Sequence, residues 1–508
     1  MAETGDWVTP RLYGRPWFEK PPLLYWGGAI FFKLMPGRPE IAARLPSAIC
    51  ALLATLTLAW LAWRAYGEEC ARWLLLLLPT SVGMIGFSHA CATDMPFAGT
   101  LTIALVCAAA ILGLVPANDK TPILLRTPWR ALLLFGFFMG LAVLAKGPAA
   151  LILMGGAVFF WALFSKRWRD VFRLLHPAAL AVFLLTALPW YVLCARRNPD
   201  FFRIFIIEHN FKRYLTPEFQ HIQPFWFYLP LVLIAFLPWI TILPWSTVFA
   251  ILKRPSQPLT LFMFAWAAFC LIFFSISQSK LPGYILPAIP AIGLLAARAT
   301  QSRGSSNCKS WRICAAASSI ILALSTVFFL VVAKVTANPS QLNAKTGNAY
   351  ALLSLCFAAA NLFLFLANWN RSKADLLPVS ILTAVPVLAA LCFAPFFVAS
   401  IFEYDPSART LAGEIERPTA RETNIYAGPI SRGKRYGLNF YLKQEIRDWD
   451  PAHPNVGLLI LQRQNCQELV PAPYVCTNSD RLQGAGAYLY SVASPDSLGG
   501  NDSRRQLQ

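Results

Sequence analysis

The sequence predicts an all-α polytopic membrane protein that ends in a small α/β domain. Three observations carry that prediction. The 508 residues are 56% hydrophobic and only 14% charged, with a mean hydropathy of +0.50, too little charge to cover the surface of a soluble chain of this length. Twelve apolar runs recur at 41–64, 71–89, 95–115, 131–146, 148–164, 177–194, 224–251, 258–276, 282–298, 311–334, 349–369 and 376–402, near the ~20 residues a helix needs to cross a bilayer. From Glu403 onward the apolar runs stop, and 12 Lys/Arg balance 12 Asp/Glu.

The net charge of +19 therefore lies wholly in residues 1–402, in short clusters between apolar runs. Alternate loops collect Arg64/Arg72, Lys120/Arg126/Arg130, Lys166/Arg167/Arg169/Arg173, Lys253/Arg254, Arg298/Arg303/Lys309/Arg312 and Arg371/Lys373. That is the cytoplasmic face by the positive-inside rule, and it argues against nucleic acid as the partner of the basic charge. The opposite face receives residues 1–40, the loop before Asp94, Lys146, the loop 195–223, the loop 277–283 and the tail. Residues 22–35 are apolar but too short to span, and counting them as a span would put every basic cluster outside. They are expected to form an interfacial helix.

The loop 195–223 breaks the charge rule with Arg196, Arg197, Arg203, Lys212 and Arg213. Either it is a solvated loop helix or it forms a basic pocket for an anionic group. In the tail, SARTLAGEIERP and GLNFYLKQEI have helical periodicity, and TNIYA, VGLLIL and GAYLYSV have the texture of strands. The domains are thus 1–40, a loop with the interfacial helix; 41–402, the membrane domain; and 403–508, an α/β domain whose last dozen residues are expected to be disordered. Cys466 and Cys476 stand close together in that tail and could pair in an oxidising compartment. The other ten cysteines lie in or beside apolar runs, where a thiol is ordinarily a small hydrophobe.

Five stretches far apart in sequence bring polar groups to the non-cytoplasmic face: Glu19-Lys20, Thr93-Asp94, Lys146, Glu208-His209, and Ser279-Lys280 with Tyr284. Each has a bland explanation alone. Asp94 can cap a helix, Lys146 can snorkel, and His209 can simply solvate a loop. Together they outline a cavity at the outer leaflet that handles a phosphate.

FEKPPLLYW (18–26), AARLPSA (42–48), TDMP (93–96), AKGP (145–148), IEHNFKRYLTPEFQHIQPFWFYLP (207–230) and FFSISQSKLPGYILPAIPA (273–291) resemble the bacterial aminoarabinose transferase family. This is the lipid-A-modifying branch of the polyprenyl-phosphate-sugar glycosyltransferases of GT-C type, which include the protein O-mannosyltransferases. The resemblance runs in order from residue 4 to about 300. It implies thirteen spans, so the first span and the start of the outer loop, with an acidic residue near the sugar, are expected to be missing here; either the start is misplaced or the chain is an impaired relative that binds polyprenyl phosphate.

The resemblance also implies an inverting transfer from a sugar on undecaprenyl phosphate to a lipid A-type or other envelope acceptor, by a monomer in the bacterial inner membrane. Lys20 matches the lysine at the donor phosphate, and Asp94 matches a carboxylate of the cavity; these two are the expected catalytic residues. Lys146, Lys280, Tyr284, Arg213 and Arg44 are the expected substrate-binding groups. No cofactor is required by the reaction. Glu19 and His209 match positions that hold a metal ion, zinc in particular, though two ligands fall short of the four of a structural site. FEKPP replaces the His-rich string of the O-mannosylating branch. A transporter or flippase is the competing class; it predicts duplicated halves and charges near the midplane, and the sequence has neither.

Overall fold

The computed structural model describes residues 1–115, 128–212, 214, 222–237, 239, 257–304, 359, 408–415, 424–430, 432–461, 466, 468–482 and 487–493. These fall into two compact units, the first holding residues 1–304 and 359, the second residues 408–493. The expected spans at 311–334, 349–369 and 376–402 lie outside the described residues, apart from Ala359.

The first unit opens with a hairpin, β1 (Arg11–Leu12) and β2 (Arg15–Pro16). Its turn places Tyr13 and Gly14 at φ 52° and 76°, the left-handed pair a two-residue hairpin needs. The short apolar stretch forms α1 (Leu23–Leu34), beside α2 (Pro39–Tyr66). The two meet where Gly27 faces the ring of Pro46, which leaves no space for a Cβ. The expected span 71–89 is instead two helices, α3 (Glu68–Leu77) and α4 (Val82–Ser88), bent by 64°. Pro79 cannot donate to the helical ladder. The freed groups at the break are satisfied locally: Thr80 Oγ1 donates to Leu76 O, Ser81 Oγ donates to Leu78 O at 2.7 Å, and Val82 N donates to Leu237 O at 3.1 Å. Broken backbone is tolerated at membrane depth only with such partners.

Next come α5 (Asp94–Ile111), α6 (Trp129–Lys146), α7 (Ala149–Ser165), the short α8 (Trp168–Val171) and α9 (Pro177–Arg197). A π-helical stretch follows at Arg203–Lys212, then α10 (Tyr228–Ala235) and α11 (Pro258–Ile276). The last described span starts as a 3-10 turn, Pro282–Ala288, and continues as α12 (Ile289–Gly304). Six of these stretches are long and apolar enough to cross a membrane, and the bent α3–α4 pair is a seventh. Of the expected span 224–251, the described residues contain the helix 228–235.

α5 is the centre of the unit. Nearly every side chain on it is buried, and its two buried threonines bond back into the helix, Thr100 to Pro96 O and Thr102 to Ala98 O. α9 lies at the other extreme, with only 22% of its apolar window covered by protein. It packs on α6 through Gly136 and Gly140. A Cβ at Gly136 would fall on the carbonyl of Ala179, and one at Gly140 would come within 2.6 Å of Thr186 Cβ. Small residues four apart let membrane helices approach this closely. At the end of the bundle away from the hairpin, Arg167 Nη2 donates to Leu112 O and Gln301 Nε2 to Tyr66 O, so a basic and an amide side chain there close helix ends.

The second unit contains α13 (Arg409–Ile415), β3 (Ile425–Ala427), α14 (Arg432–Leu442), β4 (Arg447–Asp448), β5 (Gly457–Leu461), β6 (Val475–Leu482) and β7 (Ala487–Ala493). The sheet runs β4-β3-β5-β7-β6, with β3 parallel to β4 and β5, and β7 antiparallel to β5 and β6. Along β5 the pleat sends Ile460 into one apolar cluster with Leu438 and Ile446, and Leu459 and Leu461 into another with Trp449 and Tyr490. The helix expected over 437–446 sits earlier, because Lys443 turns left-handed at φ 53° and Asn439 Oδ1 accepts the amide of Ile446. β4 and β6 are strands the sequence reading did not pick out. Cys466 and Cys476 form a disulfide.

Replacing Gly136 by Val should lower the melting temperature of the purified protein, since overpacking of this kind costs about 1–3 kcal/mol. Gly155→Ala is the control, because a Cβ there meets nothing within 4 Å. Equal melting of the two variants would refute the close α6–α9 contact.

Candidate active site

Antiparallel packing of α5 and α6 puts the first residue of one beside the last residue of the other. Asp94 opens α5 and Lys146 closes α6, so each charge also complements the dipole of its own helix. They meet as an ion pair, Lys146 Nζ to Asp94 Oδ1 at 2.6 Å, with side-chain exposures of 10% and 21%. The loop before Asp94 is pinned to α2 by Ser47 Oγ, which donates to Ala90 O at 2.7 Å. After Lys146 the chain reverses at Gly147, whose φ of 80° suits glycine alone, and Pro148 leads into α7.

The 3-10 turn forms the wall opposite. The Lys146 ammonium stands 4.4 Å from the centre of the Tyr284 ring and 5.3 Å from that of Phe97, in reach of a cation–π attraction. Gly283 presses its bare Cα against the carboxylate; a Cβ there would lie 2.8 Å from Asp94 Cγ. Neither Gly283 nor Phe97 was singled out from the sequence. The spacing SKLPGY hinted at the first, since a glycine in the middle of a Pro-started turn marks a close approach.

Glu19 and Lys20 arrive on the N-terminal loop. Phe18 is buried in an aromatic pocket and meets Phe201 edge-on at 5.2 Å, beside Trp190 and Phe205. Trp190 Nε1 donates to Val8 O at 2.9 Å and Trp26 Nε1 to Trp7 O at 2.8 Å, so α9 and α1 each hold the loop. Asp6 accepts the amides of Val8 and Thr9 and pairs with Arg11 and Arg197. Burial pushes its carboxyl up, but those amides and guanidinium groups outweigh it and hold the carboxyl below its usual range. Lys20 Nζ lies 3.9 Å from Glu19 Oε1. Close by is Tyr25, whose phenol is pushed up to about 12 by burial, by the Glu19 carboxylate and by Cys91. Burial also raises the Cys91 thiol, against the pull of Arg44. Arg44 thus belongs to the Glu19–Tyr25–Cys91 edge of the site, with Nη1 donating to Glu40 O.

The remaining expected residues divide. Lys280 is 7% exposed and turned to main-chain carbonyls, those of Ser277 at 2.6 Å and Gln223 at 3.0 Å. His209 sits in the π-helical stretch, and Arg213 lies outside the described residues. Of the basic loop, Arg197 pairs with Asp6 and Arg203 with Asp200 and Glu208, so part of its charge is already matched by acid. Among the described residues no three His, Cys, Asp or Glu side chains are grouped to hold a metal ion. Glu19 and His209 would need further ligands to complete the four-coordinate set of a structural zinc site.

By fold the chain is a multi-pass membrane protein with the architecture of ArnT. It superposes on the crystal structure of ArnT from Cupriavidus metallidurans bound to undecaprenyl phosphate with a TM-score of 0.77, at 24% identity over 97% of this chain and 91% of that one; the apo state gives 0.76. Residues 1–205 match the family model for dolichyl-phosphate-mannose-protein mannosyltransferase. The chain is 31% identical over 314 residues to an undecaprenyl phosphate-alpha-4-amino-4-deoxy-L-arabinose arabinosyl transferase of Edwardsiella ictaluri, 62% of this chain and 55% of the relative. It is 34% identical over 310 residues to one of Sodalis glossinidius, 59% and 52%. The chain therefore spans about half the length of the curated relatives it matches, and the resemblance drawn from FEKPP, TDMP and SKLPGY is borne out.

Removing one partner of a shielded ion pair strands the other. Asp94→Asn and Lys146→Met should each destabilise the protein, and the double variant should fall short of the sum, with a coupling of about 1–3 kcal/mol. A thermal-melt double-mutant cycle with additive losses would contradict the pair.

Proposed function

We propose that the protein is an inverting glycosyltransferase that moves a sugar, aminoarabinose or a similar one, from undecaprenyl phosphate to a phosphate of lipid A or of a similar envelope acceptor. The observation that carries this reading is the Asp94–Lys146 pair under Tyr284, at one end of a membrane bundle whose fold matches that of ArnT, with Lys20 on the loop whose Phe18 packs beside Leu144 at that same end. The curated relatives named for this transfer support the donor.

The acceptor oxygen attacks the anomeric carbon from the face opposite the lipid phosphate. The anomeric C–O bond breaks, and undecaprenyl phosphate leaves with the electron pair. The leaving oxygen gains negative charge, so donors and cations aimed at it lower the barrier. Lys20 is assigned to that phosphate, with Tyr284 as a hydrogen-bond donor. Asp94 is held by Lys146 through Oδ1 at 2.6 Å, which fixes its place and direction in the site. It suits orienting the sugar better than acting as a base. A phosphate acceptor, already ionised near neutral pH, needs no base, which favours it over a hydroxyl. The charges lie at helix ends, unlike the midplane charges expected of a transporter.

The same end of the bundle is assigned to the periplasm of a bacterial inner membrane. The basic loops at the other end support that orientation.

Lys20→Ala should abolish transfer from undecaprenyl-phosphate-linked sugar while the protein accumulates to the wild-type level; product formed at the wild-type rate would remove Lys20 from the phosphate. Cys91 is exposed and adjoins the site. A membrane-impermeant maleimide added to spheroplasts should label it, with Cys91→Ala losing that signal. Labelling of Cys91 only after permeabilisation would reverse the orientation.

A further inference from the structure

The lysine of SKLPGY does something other than its neighbours in the site. Its ammonium is inside the protein, 7% exposed, and its two acceptors are main-chain carbonyls, Ser277 O in its own loop and Gln223 O on the segment that leads into α10. Burial lowers its pKa. A lone ammonium shielded from water is costly unless dipoles surround it, and carbonyl oxygens supply those dipoles here.

The bonds around it join the same two segments. Tyr228 OH, at the start of α10, donates to Leu281 O at 3.2 Å. Gln278 N donates to Tyr214 O at 3.0 Å, and Tyr214 OH donates to Phe273 O at 2.8 Å. Ser277 Oγ closes the loop on itself through Ser279 O. The loop 277–281 is thus sewn to the residues that precede α10, and it runs without a break into the turn that carries Gly283 and Tyr284. Those two residues bear on Asp94 and Lys146.

We propose that Lys280 is a positioning residue: it fastens the loop 277–281 to Gln223 and so holds Gly283 and Tyr284 against the Asp94–Lys146 pair, without touching the substrate phosphate. The lysine is needed for its reach and its N–H groups, both spent inside the protein. This places the turn's geometry under the control of a residue that never meets the reacting atoms. The proposal rests on the transferase reading only where turnover is measured.

The test is hydrogen exchange on the full-length protein in nanodiscs, paired with binding of undecaprenyl phosphate followed by native mass spectrometry. In Lys280→Met, peptides covering 277–288 should exchange at least about tenfold faster, while those of α7 keep the wild-type rate. Affinity for undecaprenyl phosphate should stay within about twofold, and kcat should fall more than the donor KM rises. Tyr228→Phe, which loosens the same loop, should add little to Lys280→Met. If Lys280→Met does not fold, Lys280→Gln keeps N–H donors without the charge and is read the same way, with a smaller increase in exchange. Unchanged exchange with a tenfold loss of lipid affinity would overturn the proposal and return Lys280 to the phosphate. A wild-type protein that binds no undecaprenyl phosphate would sink the transferase reading alone, since the exchange result stands without it.

Discussion

The ion pair between Asp94 and Lys146 is the constraint around which the membrane unit is arranged. It exists because two antiparallel helices present opposite ends side by side, and because each end carries the charge its dipole favours. Everything adjacent to it is shaped to leave it room or to shield it. Gly283 has no Cβ because the carboxylate occupies that space, Gly147 takes a left-handed turn so that α7 can start at once, and the rings of Phe97 and Tyr284 cover the ammonium. The two glycines follow from one ionic contact, although they serve different needs: one yields volume, the other backbone freedom.

Shielding a carboxylate with an ammonium also bears on what the carboxylate is suited to. A free aspartate at the mouth of a membrane cavity could shuttle protons. One fixed at 2.6 Å from a lysine is a fixed negative pole, with the lysine as its positive one. For the proposed transfer, in which attacking and leaving groups are both phosphates, such a pair would act by placing charge and not by moving a proton.

Most of the membrane unit was legible in the sequence because long apolar runs have few alternatives. The ends of α2, α5, α6 and α7 fall within a few residues of the expected spans, and the short stretch 22–35 forms a helix where the loop charges required one. The break between α3 and α4 was not foreseen, since a run rich in leucine hides the effect of Pro79 and of two hydroxyls that satisfy the backbone it frees. The carbonyl partners of Lys280 stayed hidden for a related reason. From sequence a lysine beside a membrane helix looks like a ligand for an anion, and only the fold reveals carbonyl oxygens within reach. In the second unit the boundary of α14 was missed because a lysine, and no glycine, takes the left-handed stop. Asp94 and Lys146 were both picked out, but their pairing could not be, because 52 residues separate them and only the packing of α5 on α6 brings them together.

The light burial of α9 has a mechanical consequence. Its outer surface is given over to the surrounding medium, while its C-terminal half grips the N-terminal loop through Trp190 and the pocket that receives Phe18. Among the six long spans of the described residues it has the least protein around it, so the loop bearing Glu19 and Lys20 hangs from the most thinly covered helix, and any displacement of that helix is passed on to the loop.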